Sequence, residues 1–170
     1  MRLNKDFFEQ DVLKVAPSLI GKFIVRKFAD NTVSKFLITE TEAYRGEEDL
    51  ACHASKGRTP RTEVMYNCGG SLYIYLIYGM YWMLNIVTEK ENIPQAVLIR
   101  GIDYVNGPGR LTKVLQIDKS FNNLYVPNSD IFWIEDNFSK IKIIKSTRIG
   151  IDYAGDYWKN KHWRFLLDKS

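Results

Sequence analysis

Cysteine and histidine are scarce in this sequence, which has two of each among its 170 residues. Cys52 and Cys68 lie too far apart for a CxxC motif, and the four residues together give no zinc-ligand spacing. This pattern excludes a disulfide-stabilised secreted scaffold and favours a reducing compartment. We therefore expect a fold that is stabilised by a hydrophobic core alone.

Proline is also rare, and no low-complexity tract, internal repeat or flexible linker divides the chain. Five prolines, 45% apolar residues and 26% charged residues exclude the disordered and collagen-like classes. The apolar run at 72–87 is interrupted by Gly79 and Asn85, and the first residues are polar, so neither a transmembrane helix nor a signal peptide is expected. These absences predict one cytoplasmic domain spanning residues 1–170.

Aromatic residues, in contrast, are abundant. Ten Tyr, nine Phe and four Trp make up 14% of the chain, which is more than a core of this size needs for packing. The formal net charge is +4, and basic residues are concentrated after Lys140. Because Lys and Arg neutralise phosphates, and bases stack on aromatic rings, the composition is compatible with a nucleic-acid ligand.

The hydrophobic pattern is that of mixed helices and strands. Asn4 or Asp11 is a candidate cap of a short N-terminal helix, kinked or divided by Pro17 and ended by Gly21. The pattern predicts these further elements: strands at 22–28, 33–44 and 95–102, two strands within 71–88, final strands after 140, a helix at 110–117, and a long ordered loop with one helical turn at 45–68.

Carboxylates on the strand at 33–44 are the first candidates for chemistry. Alternation places four residues on one face of this strand: Ile38, Glu40, Glu42 and Tyr44. One of the two carboxylates could act as a general base, although a Glu on a strand face is more often merely solvated. His53 follows in the loop, so a carboxylate, a phenol and an imidazole could converge; taken alone, His53 is more often a structural histidine.

Tyrosines mark the next predicted hairpin. Tyr73 and Tyr75 share one face, and Tyr78 lies near the turn. Packing alone explains aromatic residues in strands, but these rings could also form a cleft for a flat ligand. Beyond the turn at 106–109, Arg110 and the free N–H groups of a helix start would suit a phosphate, with a purely structural turn as the alternative.

Several short segments occur in an order that resembles the alkyladenine (3-methyladenine) DNA glycosylase family. They are ETEAY at 40–44, His53, TPR at 59–61, LYIYLIYGMY at 72–81, Asn85, VLIR at 97–100 and GPGRLT at 107–112. The resemblance extends from about residue 15 to residue 165. It implies a single α+β domain built on a curved, largely antiparallel β-sheet with flanking helices.

The resemblance also implies an activity, that of a monofunctional DNA glycosylase in base excision repair. The expected substrates are 3-methyladenine and 7-methylguanine in double-stranded DNA, with hypoxanthine and ethenoadenine as further candidates. Such an enzyme acts as a monomer and needs no metal or organic cofactor. Glu42 matches the general base that activates a water for attack on the anomeric carbon. Arg100 and the main-chain carbonyl of Ile149 match the groups that hold this water.

The remaining matches concern the DNA. Three residues match the walls that grip the flipped base: Tyr44, His53 and Tyr75. Asn85 matches a pocket residue that disfavours the amino group of guanine, and Tyr78 matches a side chain that enters the minor groove and fills the vacated stack. Arg110 and Lys113, on the predicted helix, are expected at DNA phosphates. His53 or another pocket donor would have to assist the departure of a neutral base.

Only six residues, 101–106, separate Arg100 from Gly107, where relatives carry a longer insertion, so a reduced DNA contact surface is expected. Two rival functions are a non-catalytic nucleic-acid-binding module and a glycosidase with Glu40 and Glu42 as its carboxylate pair. A binding module has no use for a buried carboxylate near phosphates. The glycosidase is disfavoured because neighbours on one strand face project in parallel instead of flanking a bond.

Overall fold

Antiparallel pairing organises this chain, and nine strands form one open sheet in a computed structural model that describes residues 1–170. The strands are β1 Phe23–Lys27, β2 Val33–Arg45, β3 Leu72–Ile77, β4 Tyr81–Thr88, β5 Gln95–Ile102, β6 Val105–Asn106, β7 Phe132–Glu135, β8 Ile143–Ser146 and β9 Arg164–Leu167. The main path runs β3-β4-β5-β2-β1-β7, while β9 pairs with β2 and β8, and β6 pairs with β5. Four helices flank the sheet: α1 Lys5–Phe8, α2 Val12–Leu19, α3 Pro108–Val114 and α4 Asp156–Lys159. The predicted α+β class is confirmed.

The N-terminal segment forms two helices, where one was predicted. Asn4 and Asp11 both act as caps, because their side chains accept hydrogen bonds from the first turns of α1 and α2. Pro17 lies inside α2 and does not end it. The break falls between the helices, before Asp11, so the helix is divided by its second cap and not by proline.

A bulge in β2 changes which residues share a face. The register between β2 and β5 shifts on both sides of Glu40, opposite Gly101. A Cβ on Gly101 would lie 2.8 Å from Thr39 Oγ1, so this close approach requires glycine. An extra residue in a strand reverses the alternation beyond it. Ile38 accordingly packs in the main core together with Ala43, and its predicted place on the face of Glu42 is wrong.

The hairpin of β3 and β4 has the predicted position and a strained turn. Ile77 pairs with Tyr81, and the N–H of Met80 donates to the carbonyl of Ile77. Tyr78 and Gly79 between them have positive φ values of 52° and 64°, as in a type I′ turn. Asn and Gly favour such positions, whereas a bulky ring there is uncommon.

Two other predicted elements differ in detail. The loop after β2 contains two 3₁₀ turns, His53–Lys56 and Glu63–Tyr66, where one helical turn was predicted. The helix predicted at 110–117 is α3, which begins two residues earlier because proline suits the first helical position. Strand β5 matches its prediction, and β7 was not predicted. No helix has the length and apolar character needed to cross a membrane.

Candidate active site

A cavity of about 390 Å³ lies where β2, β3, β4 and β5 meet the loop after β2 and the segment before α4. This volume falls within the range of small-molecule pockets, about 300–1,000 Å³. Seven of the ten predicted site residues line it: Tyr44, His53, Tyr75, Tyr78, Asn85, Arg100 and Ile149. The fold therefore brings these residues together, and their individual roles stay predictions.

Glu42 lies immediately behind the cavity wall and is completely buried. Its Oε1 accepts a hydrogen bond of 2.8 Å from the Tyr44 hydroxyl, and its Oε2 accepts one of 2.6 Å from the main-chain N–H of Ile149. Arg100 Nη1 is 3.6 Å from Oε1. Because a carboxylate has about four lone-pair sites, these contacts leave part of the acceptor capacity of Glu42 unused.

The protonation equilibrium of Glu42 reflects two opposing influences. Burial raises the pKa of this carboxyl above its usual value, while Arg100, the Ile149 N–H and the Tyr44 hydroxyl favour the ionised form and lower it. Burial has the larger effect, so the pKa is raised overall. A carboxylate with a raised pKa is a stronger base, which is the property that proton abstraction from water needs.

The hydrogen bond from Ile149 was not foreseen in the sequence. The resemblance assigned a role to the carbonyl of Ile149, whereas the structure shows its N–H bound to Glu42. The two residues are 107 positions apart, and no local pattern reports such a contact. The main chain at Ile149 therefore fixes the orientation of the buried carboxylate.

Arg100 lies between two carboxylates. Its Nε is 3.7 Å from Glu40 Oε2, and its Nη1 faces Glu42. Glu40 Oε2 also accepts a hydrogen bond of 2.9 Å from Arg164 on β9. Glu40 and Glu42 thus flank an arginine, and no gap for a sugar separates them, which argues against the glycosidase alternative.

Aromatic rings from the β3 strand and the loop form one wall of the cavity. His53 Nδ1 and the Tyr73 hydroxyl share a hydrogen bond of 2.9 Å, and the rings of His53 and Tyr75 are 4.5 Å apart between centroids. Burial, with Arg61 and Lys56 nearby, lowers the pKa of His53 to about 4. The imidazole is therefore neutral at pH 7 and does not act as an imidazolium acid towards a bound base.

Asn85 is held rigidly in the cavity wall. It lies opposite Tyr73 in the pairing of β3 with β4, and its Nδ2 donates a hydrogen bond of 3.1 Å to the Tyr73 carbonyl. The side chain is buried. A fixed amide at this place can exclude a substituent by shape, which is the role predicted for it.

The residues predicted to contact DNA lie in the cavity lining and on the helix that begins beside it. Tyr78 lines it and is 86% exposed, so it is not a core residue. Helix α3 begins at the edge of the cavity, because its first residue, Pro108, also lines it. Arg110 and Lys113 on this helix are exposed, and Lys113 Nζ lies 5.5 Å from the centre of the Tyr81 ring.

A buried ion pair lies behind the cavity, and it was not predicted from the sequence. Arg148 Nη1 lies 2.6 Å from Asp49 Oδ2, and both side chains are completely buried. Arg148 also donates to the Ala43 carbonyl, and its guanidinium lies 5.0 Å from the centre of the Tyr44 ring. Arg148 and Arg164 belong to the basic segment after Lys140, but internal partners occupy both, so neither is a free cation for DNA.

Sequence comparisons with known proteins give one consistent result. The family model described as "Methylpurine-DNA glycosylase (MPG)" matches residues 6–106 and 102–170, and the two matches meet at the short β5–β6 hairpin. A relative from Legionella pneumophila (strain Corby) is 43% identical, over 98% of this chain and 94% of the relative. One from Sodalis glossinidius is 45% identical, over 96% and 95%. One from Borreliella afzelii (strain PKo) is 44% identical, over 98% and 96%. All three bear the name "Putative 3-methyladenine DNA glycosylase".

Proposed function

Since this chain belongs to the methylpurine-DNA glycosylase family, it is a DNA N-glycosylase, and we propose that it excises alkylated purines from duplex DNA in base excision repair. The proposed substrates are 3-methyladenine and 7-methylguanine. The reaction we propose begins with extrusion of the damaged nucleotide into the cavity. A water then attacks the anomeric carbon, the bond to the purine breaks, and Glu42 takes up the proton of the water.

One observation carries this proposal: a completely buried carboxylate beside an aromatic cavity of the right size for a purine. Tyr44 and the main chain at Ile149 orient the carboxylate, and Arg100 faces it. Ionising a buried carboxyl is unfavourable, and a purely structural residue would gain nothing from it. The arrangement is therefore best explained by a requirement for a base.

The chemistry of the substrate explains why so few groups suffice. Alkylation at N3 or N7 makes a purine cationic, so the base is already a good leaving group and is attracted to the electron-rich faces of tyrosines. Extrusion from the duplex costs a few kcal/mol, least for a damaged base. Because His53 is neutral at pH 7, we expect cationic lesions to be released faster than neutral hypoxanthine.

The direct test uses the purified protein and duplexes that each carry one defined lesion. We expect release of 7-methylguanine or 3-methyladenine and an intact strand with an abasic site, which breaks only after treatment with alkali or heat. Base release is scored by chromatography and strand integrity by denaturing electrophoresis. A covalent protein–DNA adduct trapped by borohydride would contradict the proposed water nucleophile, and no release from either lesion would contradict the function.

Tyr78 is proposed to fill the gap left by the flipped nucleotide. A tyrosine in a left-handed turn position lowers the stability of the fold, and asparagine would largely avoid this cost. The backbone conformation therefore does not explain why a tyrosine stands at this position. We expect Tyr78→Asn to weaken binding to lesion duplex by roughly ten-fold to a hundred-fold, through lost stacking of about 1–3 kcal/mol. The melting temperature should stay the same or rise.

The β5–β6 hairpin offers a matched control. Tyr104 at its tip is fully exposed and has a positive φ of 61°, but it does not line the cavity. Tyr104→Asn should therefore relieve the same backbone strain without the loss of lesion binding. Equal losses in the two variants, or a melting temperature that collapses in Tyr78→Asn alone, would contradict the proposed role of Tyr78.

A further inference from the structure

Few residues of one cavity wall have a role in the proposed reaction. This wall is residues 149–153, of which Ile149, Gly150, Ile151 and Tyr153 line the cavity. Ile149 contributes its N–H to Glu42, and Ile151 is buried. Tyr153 is more exposed than either, with 70% of its surface accessible against 48% for Ile149, although it also lines the cavity. Its ring therefore lies at the mouth of the cavity and not in the interior.

Although exposed, the ring of Tyr153 is anchored at both ends. Its backbone belongs to the 3₁₀ turn Asp152–Ala154, and Ala154 packs in a buried cluster with Ala51 and Ile151. Its hydroxyl donates a hydrogen bond of 2.9 Å to the Ala51 carbonyl, on the loop that carries His53. The side chain thus bridges two segments that each contribute to the cavity.

An anchored and exposed ring is suited to binding. Fixing a tyrosine side chain has an entropic cost, and burial of so small a part of this ring offsets little of it. A rigid aromatic ring at the mouth of a pocket is preorganised, so a ligand that contacts it does not have to immobilise the side chain. Desolvation raises the pKa of Tyr153, and the nearby carboxylates of Asp49 and Glu42 raise it further, while Arg148 lowers it. The pKa is raised overall, so the hydroxyl stays protonated and keeps its hydrogen bond.

We infer that Tyr153 is a substrate-binding residue that contacts the flipped purine nucleotide at the mouth of the cavity. The inference rests on the proposed function, because it takes an extruded nucleotide as the ligand. Tyr153 lies on the wall of residues 149–153, whereas His53 and Tyr75 belong to another wall. Its ring face contacts the nucleotide, while its hydroxyl holds the ring in place through Ala51.

The test compares Tyr153→Ala with wild type on two duplexes. One carries 7-methylguanine on a 2′-fluoro sugar, whose fluorine slows cleavage of the glycosidic bond so that binding can be measured without turnover; the other is undamaged. We expect the variant to bind the lesion duplex about ten-fold more weakly, through lost stacking, and the undamaged duplex as wild type does. With the cleavable lesion, the variant should need more enzyme for half-maximal single-turnover rate, but its maximal rate should be nearly unchanged.

Tyr157 provides the matched control. It lies four residues further on, is 68% exposed and does not line the cavity. In Tyr157→Ala, the ratio of the affinities for lesion duplex and undamaged duplex should be the same as in wild type. Tyr153→Phe keeps the ring and loses the hydrogen bond to Ala51, so its lesion binding should lie between that of Tyr153→Ala and that of wild type.

The possible outcomes separate the inference from the function. Equal weakening on both duplexes would place Tyr153 on the DNA backbone, and unchanged lesion binding would make it merely structural; either result overturns the inference and leaves the function standing. A wild-type protein that releases base from neither lesion would overturn the function itself. A lower melting temperature in Tyr153→Ala with lesion preference intact would also count against the inference.

Discussion

Replacing Glu42 by Gln is expected to slow base release by about 10²–10⁴-fold, the usual contribution of a general base. Gln has the same size and can still accept one of the two hydrogen bonds that come from Tyr44 and Ile149. The raised pKa shows that the fold disfavours the charge on Glu42, so a neutral side chain should not unfold the protein. Binding to lesion duplex should stay nearly intact.

Glu40→Gln is a matched control for this variant. Glu40 is two residues away on β2 and faces the same Arg100. It is bound to Arg164, whereas Glu42 is bound to Tyr44 and to the main chain at Ile149, two residues that line the cavity. Its replacement should change the single-turnover rate of 7-methylguanine release by only a few-fold. The role of Glu42 as the base would be refuted by wild-type rates in Glu42→Gln, or by equal losses in both variants.

The pH dependence of the wild-type rate gives a second measurement on the same group. The base must be ionised, so the rate should fall as the pH falls through the pKa of Glu42, which burial places above that of an ordinary glutamate. Other groups that face or surround Glu42 are Arg100, Arg148, Tyr44, Tyr75 and Tyr153. Burial raises the pKa of each of the three tyrosines, so they keep their protons at neutral pH, and His53, with a pKa of about 4, should add no step between pH 6 and 8.

Strands in which no bulge interrupts the alternation of side chains between the two faces could be predicted from the sequence. Strand β5 has its predicted bounds, and the pair β3 and β4 differs from the predicted 71–88 only at the ends. The face of Ile38 was predicted wrongly because the bulge depends on Gly101, which lies on another strand. Alternation within β2 contains no sign of that partner.

The parts of the candidate site that lie within short sequence motifs could be predicted. Tyr44 and Glu42 lie two residues apart, so their hydrogen bond is compatible with local spacing, and Tyr78 was placed correctly at the turn. Contacts between distant segments could not be predicted in this way. Arg148 is indistinguishable in the sequence from the exposed lysines around it, because its burial depends on Asp49, 99 residues earlier. Tyr153 gave no local signal either.

Removing the cation of the buried pair, with Arg148→Met, is expected to destabilise the protein by about 3–5 kcal/mol. The variant leaves the carboxyl of Asp49 in the interior without its cationic partner. It also removes the hydrogen bond to the Ala43 carbonyl and the contact with the Tyr44 ring. For a chain of this length the melting temperature should fall by roughly 6–20 °C. Lys159→Met is the control, because Lys159 and Asp152 form an exposed pair at 3.8 Å, and its loss should cost about 1 kcal/mol or less.

A double-mutant cycle then separates the ion pair from simple loss of packing. Asp49→Asn keeps an acceptor for only one of the N–H groups of Arg45 and Ala51, which donate to different oxygens of Asp49, and it leaves Arg148 charged and unpaired. Combined with Arg148→Met, it leaves no unpaired charge in the interior. The double variant should therefore be less destabilised than the sum of the single variants, by about 1–3 kcal/mol in denaturant unfolding. Strict additivity would show that Arg148 stabilises this side of the active site through packing and its carbonyl contacts alone. A coupling of the expected size would show that the charge pair itself joins the loop of His53 to the segment that orients Glu42.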